Sequence, residues 1–303
     1  MNLPLHKTVI IICGPTAVGK TAVAISLARQ FDTEIISADS RQCFKELNIG
    51  VARPSEKELK EVRHHFIASH SISENVNAVI FEQFALQKVN ELFQKYDHVV
   101  MVGGTGLYIK AFCEGLDEIP PVEDSIRKNI TENYELHGLL WLQDEVKKKD
   151  PEFFFAGEIK NPQRMMRALE VIESTGKSIL DFRKNEKMKR DFKIIKIGLE
   201  LPKQDLHSNI NARVDKMIAL GLIEEVRSLT SYRHLNALQT VGYPEIFEYI
   251  NGKFSLDKAI EEIKTNTRQY AKRQLTWFRK DKEIKWFSPR EIDHIDVYIR
   301  NSK

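Results

Sequence analysis

One segment, Gly14-Pro15-Thr16-Ala17-Val18-Gly19-Lys20-Thr21, constrains this chain more than any other. It fits the pattern G-x-x-x-x-G-K-[ST], and it stands where that pattern has physical meaning. Before it runs Val9-Ile10-Ile11-Ile12-Cys13, a continuous apolar stretch of the kind a strand buried on both faces requires. After it, Ala22 to Phe31 reads as a helix. Glycines at such a strand-to-helix turn let the backbone wrap an anion, which then meets amide N–H groups and the helix N-terminus. Residues 14–21 are therefore the expected binding site for a diphosphate or a nucleotide such as ATP, with Lys20 adding a point charge at the outer phosphate. Thr21 carries a hydroxyl that can hold Mg²⁺, an ion that prefers oxygen ligands and phosphate. Mg²⁺ is the one cofactor expected.

The rest of the chain alternates in the same style. Glu34 to Asp39 predicts a second strand, and His98 to Val102 a third, closed by Gly103-Gly104. Between them Asn77 to Tyr96 has helical periodicity through Ile80, Phe81, Phe84, Leu86, Val89 and Phe93. Strands alternating with helices indicate an α/β fold with a parallel sheet. Residues 117–192 break the pattern, with Pro120-Pro121 followed by charged helical stretches and no clear buried strand. Lys193 to Leu199 reads as a strand again, and Leu206 to Leu229 and Leu256 to Lys280 as long helices. The expected architecture is a P-loop NTPase-like parallel-sheet core formed by residues 1–116 and 193–303, with a mostly helical insertion domain over 117–192.

Composition excludes several classes. At 42% hydrophobic residues the chain can build a core, so wholesale disorder is ruled out. Its three cysteines, Cys13, Cys43 and Cys113, form neither a disulfide framework nor a zinc site. The N-terminal apolar run is far too short for a membrane span. A cytoplasmic protein with no membrane partner, acting as a monomer, is expected. The net charge of +3 would seem to argue against nucleic acid, but it averages over the whole surface. Between Lys264 and Lys285 eight basic residues face two acidic ones, interleaved with Tyr270, Trp277 and Phe278. Lys264, Arg268 and Lys272 recur every four residues on one helix face. Basic side chains track a phosphodiester backbone and aromatics stack on bases, although a solvated face over core aromatics is the competing reading.

Two features narrow the chemistry at the phosphate loop. Asp39, at the end of the second strand, should stand at the carboxyl edge of the sheet and can accept a proton there, a helix cap or plain loop aspartate being the alternative. The third strand runs into Gly103-Gly104-Thr105-Gly106, without the acidic residue that binds metal in many P-loop ATPases. A kinase of small molecules or another phosphate-using transferase fits better than a motor. Gln163-Arg164-Met165-Met166-Arg167 offers groups suited to base edges and phosphates, with the methionines more at home in a core. Arg213 is explained equally by a surface ion pair, and His64-His65 has no neighbours to complete a metal set.

Taken in order, these segments resemble the IPP transferase family, the bacterial tRNA isopentenyltransferases or tRNA dimethylallyltransferases. The carrying residues are GPTAVGKT at 14–21, Asp39-Ser40-Arg41-Gln42 with Asn48-Ile49-Gly50, His64-His65-Phe66-Ile67, GGTGLYIKA at 103–111 and QRMMRALEV at 163–171. Arg213-Val214-Asp215, Val241-Gly242-Tyr243 and Lys272-Arg273-Gln274-Leu275-Thr276-Trp277-Phe278-Arg279 complete the set. Val18 stands where serine is frequent, and Asn161-Pro162 replaces a commoner acidic lead into QRMMR.

The resemblance implies transfer of a dimethylallyl group from dimethylallyl diphosphate to the N6 amine of adenosine 37, beside the anticodon of tRNA. It implies Asp39 as base, with Lys20, Thr21 bearing Mg²⁺, and Arg213 neutralising the departing diphosphate. The target amine lies on a pairing edge, so the base must be splayed out of its stack into a pocket. By resemblance, residues 39–42 and Thr105 meet that adenosine. Arg127, Gln163 to Arg167, Gly242, Tyr243 and Lys272 to Arg279 meet the anticodon stem-loop, which the insertion would clamp. A small-molecule kinase, a free-adenylate prenyltransferase and an RNA-binding ATPase are the rivals.

Overall fold

A computed structural model of the protein describes residues 7–302 apart from 158 and 185. The chain divides into two compact units, Met1–Glu114 with Lys189–Lys303, and Gly115–Met188.

The first unit is built on one sheet. Its strands are β1 (Thr8–Cys13), β2 (Ile35–Ser37), β3 (His64–His65), β4 (His98–Val102), β5 (Lys193–Leu199) and β6 (Lys285–Phe287). They lie in the order β3-β2-β4-β1-β5-β6, and every pair is parallel. β1 is central, Ile10 standing between Val100 of β4 and Ile195 of β5, and all six of its residues are buried. Helices cover both faces, so a strand in this position needs apolar residues without alternation, which Val9 to Ile12 supply. After β1 the chain builds the β4-β2-β3 side, and it returns to β1's other flank only at β5. Such a reversal of strand order leaves a crevice at the carboxyl end of the central strand, where α/β proteins bind ligands.

The helices of this unit are α1 (Lys20–Gln30), α2 (Glu56–Glu61), α3 (Ala78–Leu92) and α4 (Gly106–Glu114). α5 (Asp124–Lys149), α6 (Pro151–Ala156) and α7 (Pro162–Thr175) form the second unit. The chain then returns to the first unit with α8 (Lys203–Ala219), α9 (Leu222–Ser228), α10 (Tyr243–Ile250), α11 (Leu256–Phe278) and α12 (Ile292–Asn301). Local chemistry sets several boundaries. Asn77 caps α3 by accepting from the amides of Val79 and Ile80. Ser255 caps α11 in the same way. The single helix expected over Leu206 to Leu229 is two, because Gly221 adopts φ +96° and starts α9 afresh. β2 ends at Ser37, so Asp39 lies in the following loop rather than on the strand.

The second unit has its own core, with Ile130, Leu142, Val146, Phe153, Met165 and Leu169 all buried. α5 breaks at Gly138, which takes φ +73°. Asn161 caps α7 by accepting from the Arg164 amide, and Pro162 occupies the first turn, so the unusual Asn-Pro lead opens a helix well. The contact boundaries fall after Glu114 and Met188, against the 116 and 192 expected. The return segment has a reason to belong to the first unit. Arg190 donates to the carbonyls of Ala111 and Phe112 and pairs with Glu82 at 2.6 Å, and the Phe192 ring packs on Phe93 and Phe112. Among the described residues, no helix is long and apolar enough to cross a membrane.

Candidate active site

The segment from Gly14 to Gly19 turns at the carboxyl end of β1 and runs into α1. Gly14 takes φ +137°, and a Cβ there would stand 2.6 Å from the Leu199 carbonyl oxygen of β5. Only glycine fits so close to a neighbouring strand. Ala17 (φ +63°) and Gly19 (φ +99°) give the loop its further left-handed turns. Lys20 Nζ reaches back over the loop to donate to the Gly14 and Pro15 carbonyls at 3.1 and 2.7 Å. α8 supplies two more contacts. Asn209 Nδ2 donates to the Ala17 carbonyl, and Arg213 Nη1 to Thr16 Oγ1 at 3.2 Å. Arg213 therefore leans over the phosphate loop rather than lying in a surface pair.

A second arm stands beside the first. The Ala38 amide donates to Val102 O of β4, and the Thr105 amide donates back to Ala38 O. A Cβ on Gly103 would lie 2.1 Å from that Ala38 oxygen, so Gly103 is what lets the two loops touch. Thr105 Oγ1 accepts from the Ser40 amide at 3.0 Å and lies 3.3 Å from Ser40 Oγ. Asp39 Oδ1 accepts from the amides of Arg41 (2.9 Å) and Gln42 (3.2 Å), forming an Asx turn. The loop reading of Asp39 is thus correct for one oxygen and leaves the other to be accounted for. Its carboxylate is close enough to act electrostatically on both Lys20 and Arg213.

α11 closes over both arms. Gln274 Oε1 accepts from the Thr16 amide at 2.8 Å, and its Nε2 donates to the Gly104 carbonyl at 2.9 Å. A Cβ on Gly106 would meet Trp277 Nε1 at 2.1 Å, so the glycines at 104 and 106 receive the residues at 274 and 277. The outward side of this stretch exposes Lys272, Arg273, Thr276, Trp277, Arg279 and Lys280. The Arg273 guanidinium lies 5.8 Å from the Tyr270 ring centroid, and Arg279 pairs with Glu200.

Burial, followed by the Arg213 charge, pulls the Lys20 ammonium down to about 8, and Asp39 pulls it back up. Burial likewise lowers Arg213, opposed by Glu58 and Asp39. Both cations have given up hydration that an arriving anion would replace. Burial pushes the thiols of Cys13, Cys43 and Cys113 up to about 12, which removes them as nucleophiles. For Mg²⁺ the donor chemistry at Thr21 is suitable, a hydroxyl oxygen at the end of the phosphate loop. Among the described residues no group of three His, Cys, Asp or Glu can hold a metal. Such an ion would therefore rest mainly on phosphate oxygens.

Several residues expected to touch RNA do not present their side chains. Met165 and Met166 are buried in the second unit's core. Gly242 is buried, its amide donating to Glu245. Tyr243 is fully buried, its ring under Gly50 and its hydroxyl donating to Glu225 at 2.7 Å. Gln274 and Phe278 are buried, and Leu275 packs toward the core. These residues shape the surface and do not form it. The basic stripe is also shorter than its spacing suggests. Lys264 pairs with Asp215, and Arg268 donates to Asn211, so α8 consumes both. In the second unit Gln163 and Arg164 are exposed, while Arg127 and Arg167 both bond to the buried carboxylate of Glu170.

Glu225 was not anticipated from the sequence. Its carboxylate accepts from the amides of Asn48, Ile49 and Gly50 as well as from Tyr243. That fixes the loop whose Val51 and Ala52 carbonyls accept from Gln42 Nε2, beside Asp39. A lone glutamate in a surface helix gives no sequence signal for this role.

Comparison with known proteins bears on the family. The IPP transferase family model matches residues 42–281. The chain is 47% identical over 295 residues to the tRNA dimethylallyltransferase of Cytophaga hutchinsonii, covering 97% of each chain. It is 52% identical over 293 residues to that of Christiangramia forsetii, covering 95% of this chain and 97% of the relative. Among solved structures, the tRNA isopentenylpyrophosphate transferase of Bacillus halodurans is 33% identical with a TM-score of 0.71, over 97% of this chain and 96% of that one. A eukaryotic dimethylallyltransferase crystallised acting on tRNA is 25% identical with a TM-score of 0.77, over 96% of this chain and 76% of that one. The motifs, the parallel sheet and these near full-length matches place the chain in the IPP transferase family.

Proposed function

We propose that this protein transfers a dimethylallyl group from dimethylallyl diphosphate to the N6 amine of adenosine 37, next to the anticodon in tRNA, releasing diphosphate. The observation that carries the reading is the juxtaposition of three parts. A phosphate cradle and a carboxylate-bearing arm are locked side by side at one sheet edge, under a helix that exposes cations and Trp277.

The diphosphate binds in the loop from Gly14 to Thr21, with Lys20 and Arg213 on its oxygens. Thr21 would hold Mg²⁺, which when bound withdraws charge from the leaving diphosphate. The adenosine is received on the arm formed by Thr105 and the Asp39–Gln42 turn, which already touch through Ser40. Its N6 lone pair attacks the allylic carbon as the carbon–oxygen bond breaks, and the diphosphate leaves with the electron pair. The amine proton passes to Asp39. Because Oδ1 is held by two amides, Oδ2 is the oxygen directed at the substrate. Positive charge fixed at the cradle favours the state in which the leaving group has gained charge.

Lys272, Arg273, Thr276, Trp277 and Arg279, exposed on α11, would meet the anticodon stem-loop, and within the second unit Gln163, Arg164, Arg167 and Arg127 are its own candidate RNA contacts. The chain acts as a monomer in the cytoplasm, where its protonated cysteines suit a reducing compartment. The test is incubation with labelled dimethylallyl diphosphate and Mg²⁺, offering either unmodified tRNA or AMP. Label in tRNA supports the reading, label in AMP makes the protein a free-adenylate prenyltransferase, and ATP hydrolysis with no labelled product makes it an ATPase.

A further inference from the structure

We propose that Gln274 is a positioning residue that sets the diphosphate cradle and the adenosine arm in register, an inference that rests on the transfer reading above. Among the described residues its carboxamide is the one side-chain group seen to bond both arms, taking the Thr16 amide with its oxygen and giving its N–H to the Gly104 carbonyl. It is 6% exposed; its bond to Gly104 is buried and its bond to the half-buried Thr16 is partly so. An apolar side chain of the same length would fill this space equally well, and the polar one adds direction: each end of the amide is matched to one partner. Gly104 makes room for it, since a Cβ there would stand 2.3 Å from the Gln274 nitrogen and 3.7 Å from Lys20 Nζ. The carboxamide therefore sits within one contact layer of the cation that meets the diphosphate. On the other side Gly104 leads directly to Thr105, which holds Ser40 next to Asp39.

The consequence is geometric. The leaving group belongs to the loop that carries Thr16, and the acceptor amine to the loop that follows Gly104. In-line displacement at the allylic carbon requires both at once, and misplacement by about 1 Å can cost on the order of a hundredfold in rate. Gln274 also sits one turn from Lys272, Arg273 and Trp277, on the helix that offers the exposed cations. A shift of α11 on binding RNA therefore moves both arms together.

The test uses the full chain and two variants, Gln274→Met and Gly104→Ala. The first removes both hydrogen bonds at nearly constant volume; the second leaves the glutamine in place but pushes its carboxamide aside. With anticodon stem-loop RNA and dimethylallyl diphosphate, kcat is expected to fall about 10–100-fold in each, with both KM values within about threefold of wild type. A second readout is the share of diphosphate lost to water. There the allylic carbon–oxygen bond breaks, diphosphate leaves with the electron pair, water oxygen bonds the carbon, and its proton passes to solvent. Misregister raises the ratio of this alcohol to prenylated RNA, which mere loss of stability does not. The proposal is overturned if either folded variant keeps kcat within about twofold of wild type. It is also overturned if the loss lies wholly in KM, or if the alcohol share stays unchanged. A wild-type protein that prenylates no RNA would instead remove the transfer reading, leaving the Gln274 contacts unexplained.

Discussion

Replacing Glu225 by Gln tests whether one carboxylate holds the loop beside the proton-accepting turn. Glu225 Oε2 takes the amides of Asn48 and Ile49, at 3.1 and 2.7 Å. Oε1 takes the Gly50 amide at 3.0 Å and the Tyr243 hydroxyl at 2.7 Å. All four partners are donors. A glutamine keeps one oxygen, so whichever way it turns, two donors face an NH₂ group. Hydrogen bonds to a charged acceptor contribute about 1.5–3 kcal/mol each. The amide of Asn48 is exposed and can turn to water, which favours the lower end. The expected loss is about 3 kcal/mol, or roughly 6–12 °C in melting temperature for a body of this size. Tyr243→Phe removes a single donor and should cost about 1.5 kcal/mol, roughly 3–6 °C. Thermal unfolding of both variants, followed by near-ultraviolet circular dichroism, gives the comparison. Hydrogen exchange should show the amides of residues 48–50 opening in Glu225→Gln while β1 stays protected. Equal melting temperatures for the two variants would refute the reasoning, because they would mean that the carboxylate carries no more than one bond's worth of the loop.

Three further outcomes follow from the site. Asp39→Ala should lower prenyl transfer by about 10²–10⁴-fold while RNA binding, measured by fluorescence anisotropy, stays unchanged; near-normal turnover would remove its role as base. Lys272→Ala with Arg273→Ala should weaken RNA binding and flatten the log K against log salt slope by about 0.7 per lost phosphate contact, and an unaltered slope would count against those contacts. The third concerns pH. Lys20, drawn down to about 8, is charged below that pH and neutral above it. A bound diphosphate favours the charged form and raises its pKa, so affinity should be full below pH 8 and fall toward tenfold per unit above it. Titration calorimetry with dimethylallyl diphosphate, whose own charge is constant across the range, from about pH 7.5 to 9.5 measures this, and affinity that is flat or rising there would contradict the assigned contact.

Much of this molecule is readable in the chain because its parts are locally determined. The apolar run before Gly14 can only be an inner strand of a covered sheet, and the glycine spacing that follows needs that strand-to-helix turn. β4 and β5 run over the residues expected of them, and Gln163 to Arg167 lie just inside a helix, as expected. What stayed hidden depends on partners distant in sequence. β3 and β6 are two and three residues long, with too little pattern to see before the sheet supplies their neighbours. Gly221 cuts a periodic stretch in two, because its φ +96° is a tertiary choice that periodicity does not encode. Lys264 and Arg268 share a face with Lys272 in sequence, but α8 packs against that face, pairing Lys264 with Asp215 and holding Arg268 through Asn211. Motif membership likewise cannot separate a residue that touches a ligand from one that holds its neighbour. Tyr243 and Gln274 belong to the matching segments, yet both are buried, one fixing the Gly50 loop and the other bracketing the phosphate loop.

The central claim is that one site brings an allylic diphosphate to an adenine amine presented by RNA. The most direct measurement digests an anticodon stem-loop to nucleosides after reaction and locates the transferred group by mass spectrometry. A dimethylallyl group on N6 of the adenosine beside the anticodon, absent with Asp39→Ala, is the result expected. A group on another nucleoside, an unmodified RNA alongside prenylated AMP, or no transfer while ATP is consumed would contradict it.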